Sequence, residues 1–158
     1  MYCISALPEK NFAVSVWAAV RTVEVLEPKA LTSLKSRVYP AEVSVGVHVC
    51  LNSEWVPYKW GPVLPGKDVP SLVDEWGHFF GTRKDLLAHH PNLDEVENEI
   101  RAQVELALRK GLKISYMDHH MSAAVTTPQM RERFVKVAKE KRLGISRWFG
   151  EVQGPIVY

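Results

Sequence analysis

The sequence predicts an α/β domain with parallel strands and a long lid loop that carries a small hairpin. Three observations lead there. A valine-rich alternating run occupies 43–51. A Pro- and Gly-rich stretch without helical period fills 52–92. A capped amphipathic helix then leads to a short apolar run ending in Asp118-His119-His120. Strand, lid, helix, strand, helix, strand is an order that parallel sheets require, because parallel neighbours need a crossover between them.

A chain of 158 residues is long enough for one domain with its own core, and 1–158 is read as a single domain. With 46% hydrophobic and 24% charged residues, the composition is that of an ordinary globular protein. A formal net charge of +2 carries no electrostatic footprint for nucleic acid. The mostly basic stretch from Arg131 to Arg142 is spaced like the solvated face of a helix. Cys3 and Cys50 are the two cysteines, and no CxxC or CxxH pair exists. A disulfide framework and a cysteine zinc site are therefore not expected. The apolar stretch Phe12 to Val20 is too short to span a bilayer, and Glu9 beside Lys10 spoils a secretory leader. No membrane partner is expected, and the cytoplasm is the expected compartment.

Residues 11–37 are apolar and mixed, with Pro28 against any long helix; helix and strand both fit. From Val43 to Leu51, valine and leucine alternate with small or polar residues, which predicts a strand. His48 falls late in that strand, on the face opposite the valines. In the lid, Asp74-Glu75-Trp76-Gly77 reads as a turn between Ser71-Leu72-Val73 and His78-Phe79-Phe80, forming the hairpin. A loop of this length inside a compact domain is usually functional. Asn92 caps the following helix, with Glu95 at capping-box spacing and Val96, Ile100, Val104 and Leu108 on one face. Glu97–Arg101 and Glu105–Arg109 are favourable i,i+4 pairs, and Gly111 supplies the stop. Leu112 to Met117 reads as a short strand. Thr127 caps and Pro128 opens another helix, with Met130, Phe134, Val137 and Ala138 inward. Gly144 ends it, and Ile145 to Phe149 is read as a last strand.

Sites in α/β folds form beyond the carboxyl ends of parallel strands. His48 near the end of one strand, and Asp118, His119 and His120 after another, bring nitrogen and oxygen donors to one rim. Such a set suits Zn²⁺ or a similar divalent ion. Each residue also has a plainer explanation. His48 fits a packed, hydrogen-bonded side chain, and Asp-His-His fits a polar turn capping the sheet edge. His89 and His90 are read as solvated. Trp55, Tyr58, Trp60 and Trp76 either offer flat faces to a sugar or form the lid's own small core.

Several segments carry a family resemblance. Gly46 to Trp55, then Tyr58 to Val63, resemble the glycine-x-histidine strand and following loop of YdjC-like carbohydrate deacetylases. Pro70 to Phe79 resembles that family's hairpin, and Glu99 to Glu105 its next helix. Tyr116 to Met121 is similar to its aspartate-serine-histidine motif, with His119 in place of the serine. Lys141 to Arg147 resembles its later helix end and arginine-bearing strand. The resemblance covers 43–151; residues 1–42 are left unmatched. It implies a partial, irregular (β/α) barrel-like fold, a divalent metal ion (Mg or Zn), and removal of acetyl groups from N-acetylated oligosaccharides. By the same resemblance His48 and His120 are metal ligands, Asp118 orients His120 or approaches the metal, and Arg147 lies near the substrate rim.

The family pattern begins with a strand ending in an alanine-aspartate-aspartate motif, which supplies the third ligand and the base. Here the first aspartate is Asp68. The pattern also continues past the position of Tyr158. The expectation is thus a family member truncated at both ends, binding a divalent ion weakly, with little or no activity alone. Glu54 and Asp118 are the first candidates for a substitute base, and Trp55 and Trp60 for substrate contacts. Two alternatives stand beside the enzyme: a non-catalytic sugar- or metal-binding module, and a fragment that functions only in an assembly. Unpaired edges of an incomplete barrel lead us to expect either self-association, as a homo-oligomer, or poor solubility.

Overall fold

In the computed structural model, residues 3–6, 12–17 and 43–145 are described. Five strands form one open sheet in the order β1 (Cys3–Ala6), β2 (Phe12–Trp17), β3 (Val43–Val49), β4 (Tyr116–His119) and β5 (Gly144–Ile145). β1 pairs with β2 antiparallel, and every other neighbouring pair is parallel. The α/β architecture with parallel strands holds, as an open sheet in keeping with part of a barrel. Phe12–Trp17 decides for strand within the ambiguous 11–37 stretch, the remainder of which lies outside the described residues.

Among the described residues the α-helices are α1 (Arg83–Ala88), α2 (Leu93–Arg109) and α3 (Pro128–Glu140). α2 packs on β3 and on α3, and α3 reaches β5. Their buried faces close a core built from Val47, Val49, Leu51, Ile100, Met117 and Phe134, with others around them. No helix among the described residues is long and apolar enough to cross a membrane.

α2 starts as its sequence requires, with the Asn92 side chain accepting from the N–H of Asp94 and Glu95. Glu95 does not close the capping box directly. Its carboxylate takes the Ser71 N–H and hydroxyl, and the Ser71 hydroxyl accepts from the Asn92 N–H (2.8 Å). The reciprocal bond is thus relayed through the lid, tying it to the helix start. Val96, Ile100 and Val104 are buried, but Leu108 is exposed and Ala107 takes the inward position. The helix ends there, and the last turn rotates off the stripe. Gly111, at φ 80°, closes a Schellman motif in which Leu112 N–H reaches Ala107 O (3.1 Å) and Gly111 N–H reaches Leu108 O (2.9 Å).

α3 is capped by Thr127, opened by Pro128, and buries Met130, Phe134, Val137 and Ala138. Its end differs from expectation. Arg142, at φ 56°, adopts the left-handed position expected of a glycine, and Gly144 instead begins β5. The remainder of the Ile145–Phe149 strand lies outside the described residues. β4 begins at Tyr116, later than the predicted Leu112, and runs on through His119. The lid holds the short helix α1, whose six residues are too few to show a period, and the predicted hairpin reduces to one antiparallel bridge, Val73–Phe79. Pro70 to Leu72 forms a 3-10 turn instead of strand, as proline at its first position favours.

Candidate functional site

Strand register builds the site. In the parallel β3–β4 ladder Gly46 lies opposite Tyr116, and His48 lies opposite Asp118. A Cβ on Gly46 would stand 2.3 Å from the Tyr116 ring, so glycine is what lets that ring lie across β3. His48 and Asp118 are both buried. His48 Nδ1 lies 2.5 Å from Asp118 Oδ1. On its other side His48 Nε2 lies 3.2 Å from His120 Nδ1. His120 Nε2 faces the Glu54 carboxylate at 3.0 and 3.1 Å.

The four side chains form one line: Asp118, His48, His120, Glu54. Each ionised carboxylate accepts from the imidazole nitrogen it faces, which makes that nitrogen the N–H. The remaining nitrogens, His48 Nε2 and His120 Nδ1, lie 3.2 Å apart, within hydrogen-bond distance of each other. With both rings neutral and each N–H turned to its carboxylate, these two nitrogens present lone pairs that suit a shared cation. Metal–nitrogen bonds of about 2.0–2.1 Å span such a separation, and a carboxylate behind each histidine is the usual support of a zinc-bound imidazole. His48 Nε2 and His120 Nδ1 therefore fit a divalent ion as a pair. Among the described residues no group of three or more His, Cys, Asp or Glu is arranged to hold a metal.

Asp118 orients His48, not His120 as expected; the register sets its partner, and His120 has left the strand. Met121 and Ser122 follow with φ of 46° and 60°. Two successive non-glycine residues in the left-handed region are strained, at about 1–3 kcal/mol each. They turn the chain just past His120. His119, one residue off the alternation, leaves the line of side chains and packs edge-on against Phe134.

Glu54 is steadied by Asn52, whose amide donates to Oε2 (3.2 Å). Its side chain is 25% exposed against 2% for Asp118, so Glu54 is the carboxylate open to solvent. Trp60 is buried, its ring 6.3 Å from His120 and 6.1 Å from the half-exposed Trp55. Its indole N–H donates to Cys50 Sγ (3.2 Å), and burial pushes the Cys50 thiol up to about 12. Trp60 is thus a packed wall beside the histidines, with Trp55 outside it. Arg147 lies outside the described residues. His89 stacks on Phe80 at the surface, away from the line.

Three contributors escape a reading of the sequence alone. Asn52 lies just past the end of β3, within the Gly46–Trp55 resemblance but with no role assigned to it there. Glu99 and Gln103 stand on the apolar stripe of α2, and that position was the available signal. Gln103 pairs its side-chain amide with the backbone of Cys50, accepting from N–H (3.0 Å) and donating to O (2.8 Å). Its amide also donates to Glu99 (2.8 Å), whose carboxylate takes the N–H of Val63 and Leu64. A buried helix pair thus clips the end of β3 to the lid.

Residues 21–155 match the family model described as YdjC-like protein. The chain belongs to the YdjC-like family. The matched range begins upstream of Val43, within the segment that the motifs left unmatched. The chain is similar to carbohydrate deacetylases of Enterococcus faecalis (33% identical over 94 residues, 59% of this chain and 34% of the relative) and Thermus thermophilus (33% over 99 residues, 63% and 35%). It spans about a third of the length of these curated YdjC-like relatives. A crystal structure from E. faecalis, described as a cellobiose-phosphate cleavage protein, superposes with a TM-score of 0.61 at 27% identity, covering 74% of this chain and 42% of that one.

Proposed function

We propose that this YdjC-like chain carries the histidine centre of a metal-dependent carbohydrate deacetylase acting on N-acetylated sugars. The observation that carries it is the 3.2 Å approach of His48 Nε2 and His120 Nδ1, each ring backed by its own carboxylate. The names of the curated relatives supply the substrate class. A divalent ion, zinc or magnesium, held by these nitrogens supplies Lewis acidity toward an acetamide carbonyl. Asp118 accepts the His48 Nδ1–H and holds that ring in the tautomer with Nε2 facing inward. Glu54 does the same for His120 through Nε2–H. Glu54 stands across the His120 ring from Nδ1 and is the more exposed of the two carboxylates, which makes it the first candidate to accept a proton from a water arriving from solvent. Trp60 walls the centre from bulk solvent, and Trp55 borders its mouth.

Zinc calorimetry paired with an acetate-release assay on N-acetylglucosamine oligomers tests this. The expected result is weak zinc binding that needs both histidines, with slow acetate release lost in Glu54→Gln. Zinc binding that survives replacement of both histidines by alanine, or acetate release unaffected by His48→Ala, overturns it. One observation favours a second reading, a non-catalytic sugar- or metal-binding module. Two nitrogen ligands converge among the described residues, where catalytic zinc sites normally have three protein ligands. Saccharide binding without acetate release identifies that case.

A further inference from the structure

Trp60, whose ring meets His120, also lines an open cleft of about 470 Å³ between the 59–66 segment and the 76–78 turn. Neither His48 nor His120 lines it. Both walls are held in place by specific contacts. On one side the buried Glu99 carboxylate accepts the N–H of Val63 (2.8 Å) and Leu64 (3.0 Å). On the other, Asp74 Oδ1 accepts the N–H of Trp76 (3.0 Å) and His78 (2.9 Å), and Gly77 completes the turn at φ 78°. The walls meet where Phe79 N–H donates to Trp60 O (3.0 Å) and where a Cβ on Gly61 would stand 2.3 Å from Gly77 O. The recess is therefore preformed.

On its rim Trp76 is 73% exposed, a whole indole kept in solvent by an ordered turn. Lys59 and His78 also line the cleft. The Lys59 ammonium itself is turned to Ser53 O (2.6 Å), outside the lining, which leaves His78 as the polar side chain beside the Trp76 indole. A flat apolar face beside polar groups is what a pyranose ring needs, since its C–H face packs on an aromatic and its hydroxyls need partners.

We propose that this cleft is a subsite for a pyranose ring distinct from the one at the histidine pair, with Trp76 as its stacking surface. The ligand is then an oligosaccharide, one ring at the histidines and another against Trp76. The proposal rests on the carbohydrate reading of the histidine centre and deepens it.

Binding of N-acetylglucosamine and of its β-1,4-linked trimer to the full chain, by calorimetry, tests it for wild type, Trp76→Ala and Trp76→Phe. The expected result is that wild type prefers the trimer, that Trp76→Ala weakens trimer binding about tenfold, that Trp76→Phe largely restores it, and that monomer affinity stays unchanged. A trimer preference that persists in Trp76→Ala, an equal loss for both sugars, or a wild type without trimer preference overturns the subsite alone. Binding of neither sugar by wild type overturns the carbohydrate reading and the subsite with it.

Discussion

His48 and Asp118 are direct partners in the parallel β3–β4 register, and the same alignment sets His48 Nδ1 2.5 Å from Asp118 Oδ1. The pair is a product of sheet geometry. Two strands 70 residues apart must align residue for residue before the imidazole has its carboxylate. A slip of one position would send Asp118 to the opposite face.

That dependence makes Asp118→Asn informative. The amide keeps size and burial but removes the charge that fixes the His48 tautomer. Zinc affinity is expected to fall about 10–100-fold, with near-ultraviolet circular dichroism unchanged. Unaltered affinity by calorimetry would show that His48 needs no orienting carboxylate.

Gly46 is the second lever on the same register. Alanine there places a methyl within 2.3–2.5 Å of three Tyr116 ring atoms. Gly46→Ala is expected to cost about 1–3 kcal/mol in urea denaturation and to weaken zinc binding by displacing β4. Full stability would mean that the Tyr116 ring moves aside freely.

Glu99 gives the protein a pH dependence. Burial pushes its carboxyl up to about 7, against the pull of Val63 N–H, Leu64 N–H and the Gln103 amide. A folded value above the ordinary 4.5 means that its contribution is fully present below about pH 4.5 and is lost as pH rises through about 7. Glu97 has the opposite sign. Lys136 first, then Arg101, hold it down to about 2, so its contribution is lost as pH falls from 4.5 through that value. Glu99 should therefore draw stability down between about pH 4.5 and pH 7, and Glu99→Gln should flatten that slope. Equal slopes in urea titrations of the two proteins would contradict the assignment.

Gln103→Leu should be among the more damaging single changes. It leaves both the N–H and the carbonyl of Cys50 without their side-chain partner, and buried groups so stranded cost about 1–3 kcal/mol each. With Cys3 replaced by serine, the loosened β3 end is read by thiol labelling. Cys50, buried with its thiol raised to about 12, should stay inert in the parent and label faster in the variant. Identical labelling rates would place the clip elsewhere.

The local elements and their caps follow from short stretches of sequence. Val43–Val49 is a strand because β-branched residues alternate, and Asn92, Thr127 and Pro128 start helices because their side chains or ring satisfy the first turn whatever surrounds them. The motif resemblance likewise lay in short runs such as Gly46–His48 and Asp118–His120, which are contiguous in the chain. What these cannot encode is pairing at a distance. That Asp118 serves His48, that Glu54 comes back across the site to His120, and that Gln103 and Glu99 hold the lid follow from the folded arrangement of distant segments. It also placed Arg142 at a left-handed helix end where glycine was expected, and folded Arg83–Ala88 into a helix inside the lid. Local signals arise from backbone sterics and first-turn hydrogen bonds within a few residues. The site arises from strand register and from buried polar groups finding partners 35 to 72 residues away, which no short window contains.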